Sequence, residues 1–104
     1  MDRIEQLEQF AADEPDDALT HFLLGREYMN AKRWEDAVRV LARCVELDPD
    51  YTAAVKALAD SLRLAGRADD AAIAYRQGIA TAERTGDLQV KKECQAFLNR
   101  LEGA

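Results

Sequence analysis

The chain has 104 residues, 48% of them apolar and 33% charged, with a formal net charge of −6. That size fits one domain with a modest core, and two prolines and five glycines leave little room for strands and turns. The charge is uneven: residues 1–17 hold seven acids against Arg3 alone, whereas residues 18–104 hold thirteen acids and thirteen bases, so the body has no net field to attract nucleic acid.

The first predicted helix runs from about Asp2 to Ala12, with Ile4, Leu7 and Ala11 on one side at helical spacing. Asp13-Glu14-Pro15 ends it, because the residue before a proline is pushed out of the helical region. The second runs from Asp16 or Asp17, either of which can cap the free N–H groups, to Ala31. Leu24 and Tyr28 share its inner face. Gly25 in its middle costs roughly 1 kcal/mol against alanine, which implies close approach of the next helix, with Ala37 as the matching small residue. The third spans about Arg33 to Leu47, with Ala37, Leu41, Cys44 and Val45 inward and Trp34 beside the turn. Asp48-Pro49-Asp50 ends it.

The fourth runs from about Tyr51 to Leu64 on a stripe of Val55, Leu58, Ala59 and Leu62. Gly66 suits a left-handed cap after it. Lys32, its equivalent one turn-pair earlier, lacks that freedom, so the earlier turn is expected to differ slightly. The fifth runs from about Ala68 to Thr85 with Ala71, Tyr75, Gly78 and Ile79 inward, until Gly86 stops it. The sixth opens at Asp87 and ends near Leu101. Its apolar stripe is Val90, Cys94, Phe97, Leu98 and Leu101, and Lys92, Gln95 and Asn99 fall opposite.

Laid over each other, these elements repeat. Leu24, Gly25, Tyr28, Ala37 and Leu41 recur 34 residues later as Leu58, Ala59, Leu62, Ala71 and Tyr75, and Pro15 and Pro49 share that spacing. A fixed period in this range marks a solenoid. With Leu24-Gly25, Tyr28, Ala37, Leu41 and Pro49 in place, the chain resembles the tetratricopeptide repeat family. The resemblance covers 18 to about 82 strongly and the flanks weakly, since Arg3 stands where a small alanine belongs and Glu83 where Pro49 would recur. It implies an all-α, right-handed α-α superhelix of about six antiparallel helices. One domain, 1–104, would hold a flanking helix (1–15), one repeat at 18–51, a second at 52–85 and a capping helix (86–102). About three repeats are needed for a continuous core, so the flanking helices must supply the missing stack.

Little in the sequence carries chemistry. His21 is the only histidine and sits where the repeat has a large apolar residue, which reads as packing. No CxxC or HExxH spacing exists, so no metal or other cofactor is expected. Cys44 and Cys94 fall on apolar faces with no catalytic base following, so they read as inert and the chain as a non-enzyme. Two buried thiols and an N-terminus, Met1-Asp2-Arg3-Ile4-Glu5, with no apolar run suggest a cytoplasmic protein. No stretch approaches a membrane span.

In the family, the first helix of each repeat lines a concave face. Carried over by position, the resemblance places Leu19, Phe22, Arg26, Met29 and Asn30 there from the first repeat. The second contributes Ala53, Lys56, Asp60, Arg63 and Leu64, and the last helix Val90, Cys94, Phe97 and Leu98. The subgroup that grips chaperone C-termini uses a lysine and an asparagine where this chain has Phe22 and Arg26, so that reading is disfavoured. Arg26, Lys56 and Arg63 against Asp60, beside Phe22 and Met29, suit an acidic and partly apolar peptide or helix. The expected function is therefore an adaptor or chaperone-like protein-binding module, and these groove residues are expected to face solvent. The rival is self-association, a homodimer formed through apolar end faces.

Overall fold

A computed structural model describes residues 1–103. Six helices follow one another: α1 (Arg3–Asp13), α2 (Ala18–Asn30), α3 (Trp34–Leu47), α4 (Thr52–Leu64), α5 (Ala68–Thr85) and α6 (Leu88–Leu101). Among the described residues there is no strand, so the fold is an all-α helical repeat. Three starts are capped by aspartates, each accepting from a backbone N–H of the first turn: Asp2 from Glu5 at 2.8 Å, Asp17 from Leu19 at 3.1 Å and Asp87 from Val90 at 3.1 Å.

The two inter-helix turns are alike, contrary to the expected difference at Lys32. Lys32 has φ 59° and Gly66 has φ 82°. In both turns the following N–H reaches back five residues, Arg33 to the Tyr28 carbonyl at 2.8 Å and Arg67 to the Leu62 carbonyl at 2.9 Å. The wrap itself demands a left-handed residue, and the lysine adopts it at a cost of about 1 kcal/mol.

Gly25 does allow close approach, but its partner is Leu41 rather than Ala37. A methyl group there would lie 2.5 Å from Leu41 Cγ and Cδ2. Gly78 plays the same part between α5 and α6, where a methyl would lie 2.9 Å from Cys94 Sγ. Both cysteines are fully buried, and burial pushes each thiol up to about 11, which leaves them unreactive at neutral pH.

Each helix packs on its chain neighbours. Beyond those pairs, only α2 with α4 and α4 with α6 come into contact. The helices α2, α4 and α6 therefore crowd along one side, and α1, α3 and α5 stand apart on the other. The core lies in two lobes. Leu7, Leu24, Tyr28, Leu41, Cys44 and Val55 centre the first, and Ala59, Tyr75, Ala82, Cys94 and Leu98 centre the second. Leu58 packs against both. On the surface, Arg67 reaches Glu35 at 3.0 Å and Arg84 reaches Asp50; exposed pairs of this kind are worth at most about 1 kcal/mol.

Candidate functional site

The crowded side holds a cavity of about 280 Å³ where α2, α4 and α6 meet. Phe22, Arg26 and Met29 line it from α2, Ala53, Lys56, Ala57 and Asp60 from α4, and Val90 and Glu93 from α6. Five of the seven sequence-derived groove residues are thus brought together. Asn30 and Arg63 lie outside the cavity wall, Asn30 exposed and Arg63 half-buried.

The residues differ sharply in freedom. Phe22 is 9% exposed and tilts against Tyr51, with ring centroids 4.8 Å apart. The small side chains of Ala53 and Ala57 leave the hollow beside it. Arg26 is exposed, sits over the Phe22 ring at 5.7 Å, and has no ion pair among the described residues. It is the open cation of the site. Lys56 is committed elsewhere: it contacts Asp60 at 2.7 Å and Glu93 at 4.0 Å.

The expectation that all these residues face solvent is corrected at Phe22 and Asp60, which are buried, and at Lys56 and Arg63, which are half-buried. Asp60 is only 9% exposed. Its carboxylate accepts from the Tyr75 hydroxyl at 2.5 Å and from Lys56, with Arg63 at 3.6 Å. Arg63 donates to the Tyr75 hydroxyl at 3.0 Å and lies over the Phe97 ring at 4.2 Å. Phe97 in turn stacks on Tyr75 at 5.6 Å. Burial foremost, and the Asp60 carboxylate after it, raise the Tyr75 phenol well above its ordinary value against the opposing pull of Arg63. The Asp60–Tyr75–Arg63 cluster is a satisfied polar knot under the groove floor, and it couples α4 to α5 and α6.

Sequence reasoning missed Glu93 and Ala57. Cys94 was carried over to the groove, but its sulfur faces Gly78 in the core. Of the α6 positions carried over, Val90 does line the groove, its neighbour Glu93 joins it, and Leu98 is buried in the core. The Lys56–Asp60 and Asp60–Arg63 spacings, four and three residues, were the available signal for the knot. His21 is buried, and its Nε2 lies 2.8 Å from the Pro15 carbonyl, which ties α2 to the turn before it.

A model of the tetratricopeptide repeat matches residues 1–82. The chain belongs to the tetratricopeptide repeat family. The match takes in α1, whose own motif was weak. A TPR repeat-containing protein of Pseudomonas aeruginosa is 44% identical over 101 residues, which is 97% of this chain and 96% of that one. The solution structure of a Bordetella parapertussis protein is similar at TM-score 0.83 and 35% identity, covering 98% of this chain and 89% of its own. A tetratricopeptide repeat domain protein from Salinibacter ruber follows at TM-score 0.76 and 30% identity, covering 86% of this chain and 90% of its own. Tetratricopeptide domains are in general protein–protein interaction modules and non-enzymatic scaffolds. No helix among the described residues is long and apolar enough to cross a membrane.

Proposed function

We propose that this tetratricopeptide domain is an adaptor or chaperone-like scaffold of the cytoplasm. It holds a peptide or helix in the groove between α2, α4 and α6. The observation that carries this reading is the combination at the cavity: an apolar wall of Phe22, Met29, Ala53, Ala57 and Val90 beside the charged Lys56, Asp60 and Glu93, with Arg26 unpaired among the described residues. An apolar side chain of the ligand fills the hollow, and an acidic group pairs with Arg26 through its planar fork. Lys56 and Arg63 contribute less free charge than their number suggests, because Asp60 and Glu93 already neutralise part of it. The ligand is therefore amphipathic and mildly acidic. A homodimer is the competing reading, and the hollow, which suits a narrow inserted segment, favours it less.

The test is an NMR titration with a panel of short amphipathic peptides, acidic and basic. Shifts should cluster at Phe22, Arg26, Met29, Ala57 and Val90 for the acidic members. They should weaken with added salt and with Arg26→Glu. Acidic peptides that shift only residues outside this set, or that bind Arg26→Glu equally at low salt, would overturn the assignment.

A further inference from the structure

We propose that copies of this chain associate head to tail, with α1 of one copy seated on the outer face of α6 of the next. The first support is positional. Among the described residues α1 packs on α2 alone, as the second helix of a repeat packs on the first helix that follows it. Helix α6 packs on α5 and touches α4, just as α4 packs on α3 and touches α2. It therefore occupies a first-helix position. A second helix and a first helix are complementary partners in this fold, so α6 and the α1 of another copy form the same kind of pair as α2 and α3.

Charge and shape point the same way. The outer face of α6 carries Leu88, Lys92, Gln95, Ala96 and Asn99, with Lys92 as its free cation among the described residues and Lys91 at its edge, where it pairs with Glu83 of α5 at 3.7 Å. These residues bound a shallow hollow of about 440 Å³, and Leu88 is 66% exposed. Lysine stems can cover apolar surface while their ammonium groups stay in water. The outer face of α1 bears Asp2, Glu5, Gln9 and Asp13, all exposed, and no base. Phe10 stands at the edge of that face with 55% of its surface in solvent. Residues 1–17 carry the whole formal net charge of the chain. Acidic head and basic tail attract each other, whereas head against head repels; a two-fold pairing through α1 is thereby disfavoured.

The contact is heterologous, so it does not close on itself and can extend from copy to copy. It engages one helix from each side, below the roughly 1,200 Å² of a stable interface, which makes it weak and concentration-dependent. It uses neither Arg26 nor the cavity, so it stands or falls independently of peptide binding.

The experiment is sedimentation equilibrium of the full chain across concentration at low and high salt, with two blocked variants. Glu5→Gln with Phe10→Ser disables the head, removing part of its charge and its apolar anchor. Leu88→Glu with Lys92→Glu disables the tail. All altered side chains are exposed, and circular dichroism verifies that the helices remain. The unaltered chain should rise with concentration to roughly twice the monomer mass or beyond, and salt should abolish the rise. Each variant alone should stay monomeric. The two mixed should form a one-to-one dimer and nothing larger, because the pair retains one working head and one working tail. A chain that stays monomeric at low salt and high concentration overturns the proposal. So does a dimer that neither variant disturbs, or a mixture that stays monomeric.

Discussion

Gly25→Ala separates two opposing effects whose sizes can be worked from the structure. In an exposed helix interior the change would stabilise by about 1 kcal/mol. Here the new methyl would meet Leu41 Cγ and Cδ2 at 2.5 Å and Cδ1 at 3.2 Å. Carbon atoms pack comfortably at about 3.5–4.0 Å, so α2 and α3 must separate by roughly 1 Å or Leu41 must leave its rotamer. Leu41 is fully buried and has nowhere to go. Overpacking of this kind costs about 1–3 kcal/mol, and blockage at Cγ as well as Cδ2 puts this case near the top. The net expectation is a loss of about 1–2 kcal/mol, seen as a melting temperature lower by roughly 5–15 °C for a domain of this size. The decisive measurement is a double-mutant cycle by thermal and denaturant unfolding. In a Leu41→Ala background the obstruction is gone, and Gly25→Ala should then stabilise. If Gly25→Ala raises the melting temperature of the unaltered chain, or has the same sign and size in both backgrounds, the close-approach argument fails. The second repeat offers a natural comparison, since 34 residues on the pair is Ala59 and Tyr75.

Other expectations concern single sites. Lys32→Gly should raise stability by about 0.5–1 kcal/mol in chemical denaturation, because φ 59° strains a residue with a Cβ; a lower denaturation midpoint would refute it. Ser61 is fully buried and its hydroxyl has no partner among the described residues, so Ser61→Ala should raise the denaturation midpoint, by about 1 kcal/mol of stability, through relief of the unmet group and better helix propensity. The Thr52 hydroxyl first, and the Val90 N–H second, hold the Asp87 carboxyl below its ordinary range. A depressed folded value means that its contribution is present above the unfolded pKa and is lost as pH falls through the folded one. Asp87→Asn should therefore flatten the acid limb of the stability–pH curve, and an unchanged limb would show that the cap carries no such linkage.

The fold was legible because its signals are local and redundant. Asp17, Pro49, Gly66 and Gly86 mark helix ends by backbone chemistry alone, and the Gly25–Tyr28–Ala37–Leu41 spacing repeats with its own period. Where the reading failed, a tertiary demand overrode a local preference. Lys32 takes the left-handed state because the turn must close from Arg33 to Tyr28, whatever residue stands there. Groove residues were harder to read, because family position gives a direction for a side chain but not its partners. Phe22 points to the concave side yet is consumed by Tyr51, and Asp60 points there yet is drawn down by Tyr75. Cys94 was misplaced because its sulfur fills the space that Gly78 leaves in the core.

This distinction decides which substitution can report on binding. Arg63 was expected to be a free groove cation, so that its reversal would spare stability. Its guanidinium instead bonds the Tyr75 hydroxyl, faces Asp60 and covers Phe97. Arg63→Glu would place a carboxylate beside the almost entirely buried Asp60 carboxylate, and that like-charge repulsion, with Lys56 as the one remaining cation, is destabilising. Any loss of binding in that variant would be inseparable from loss of fold. Lys56 carries the same confusion in milder form through its contact with Asp60. Arg26 carries none, since it is exposed, unpaired among the described residues, and lies only over the Phe22 ring. The groove's charge selectivity is therefore to be read at Arg26, and its apolar selectivity at Met29 and Ala57, where the wall can be altered without cutting the polar knot below.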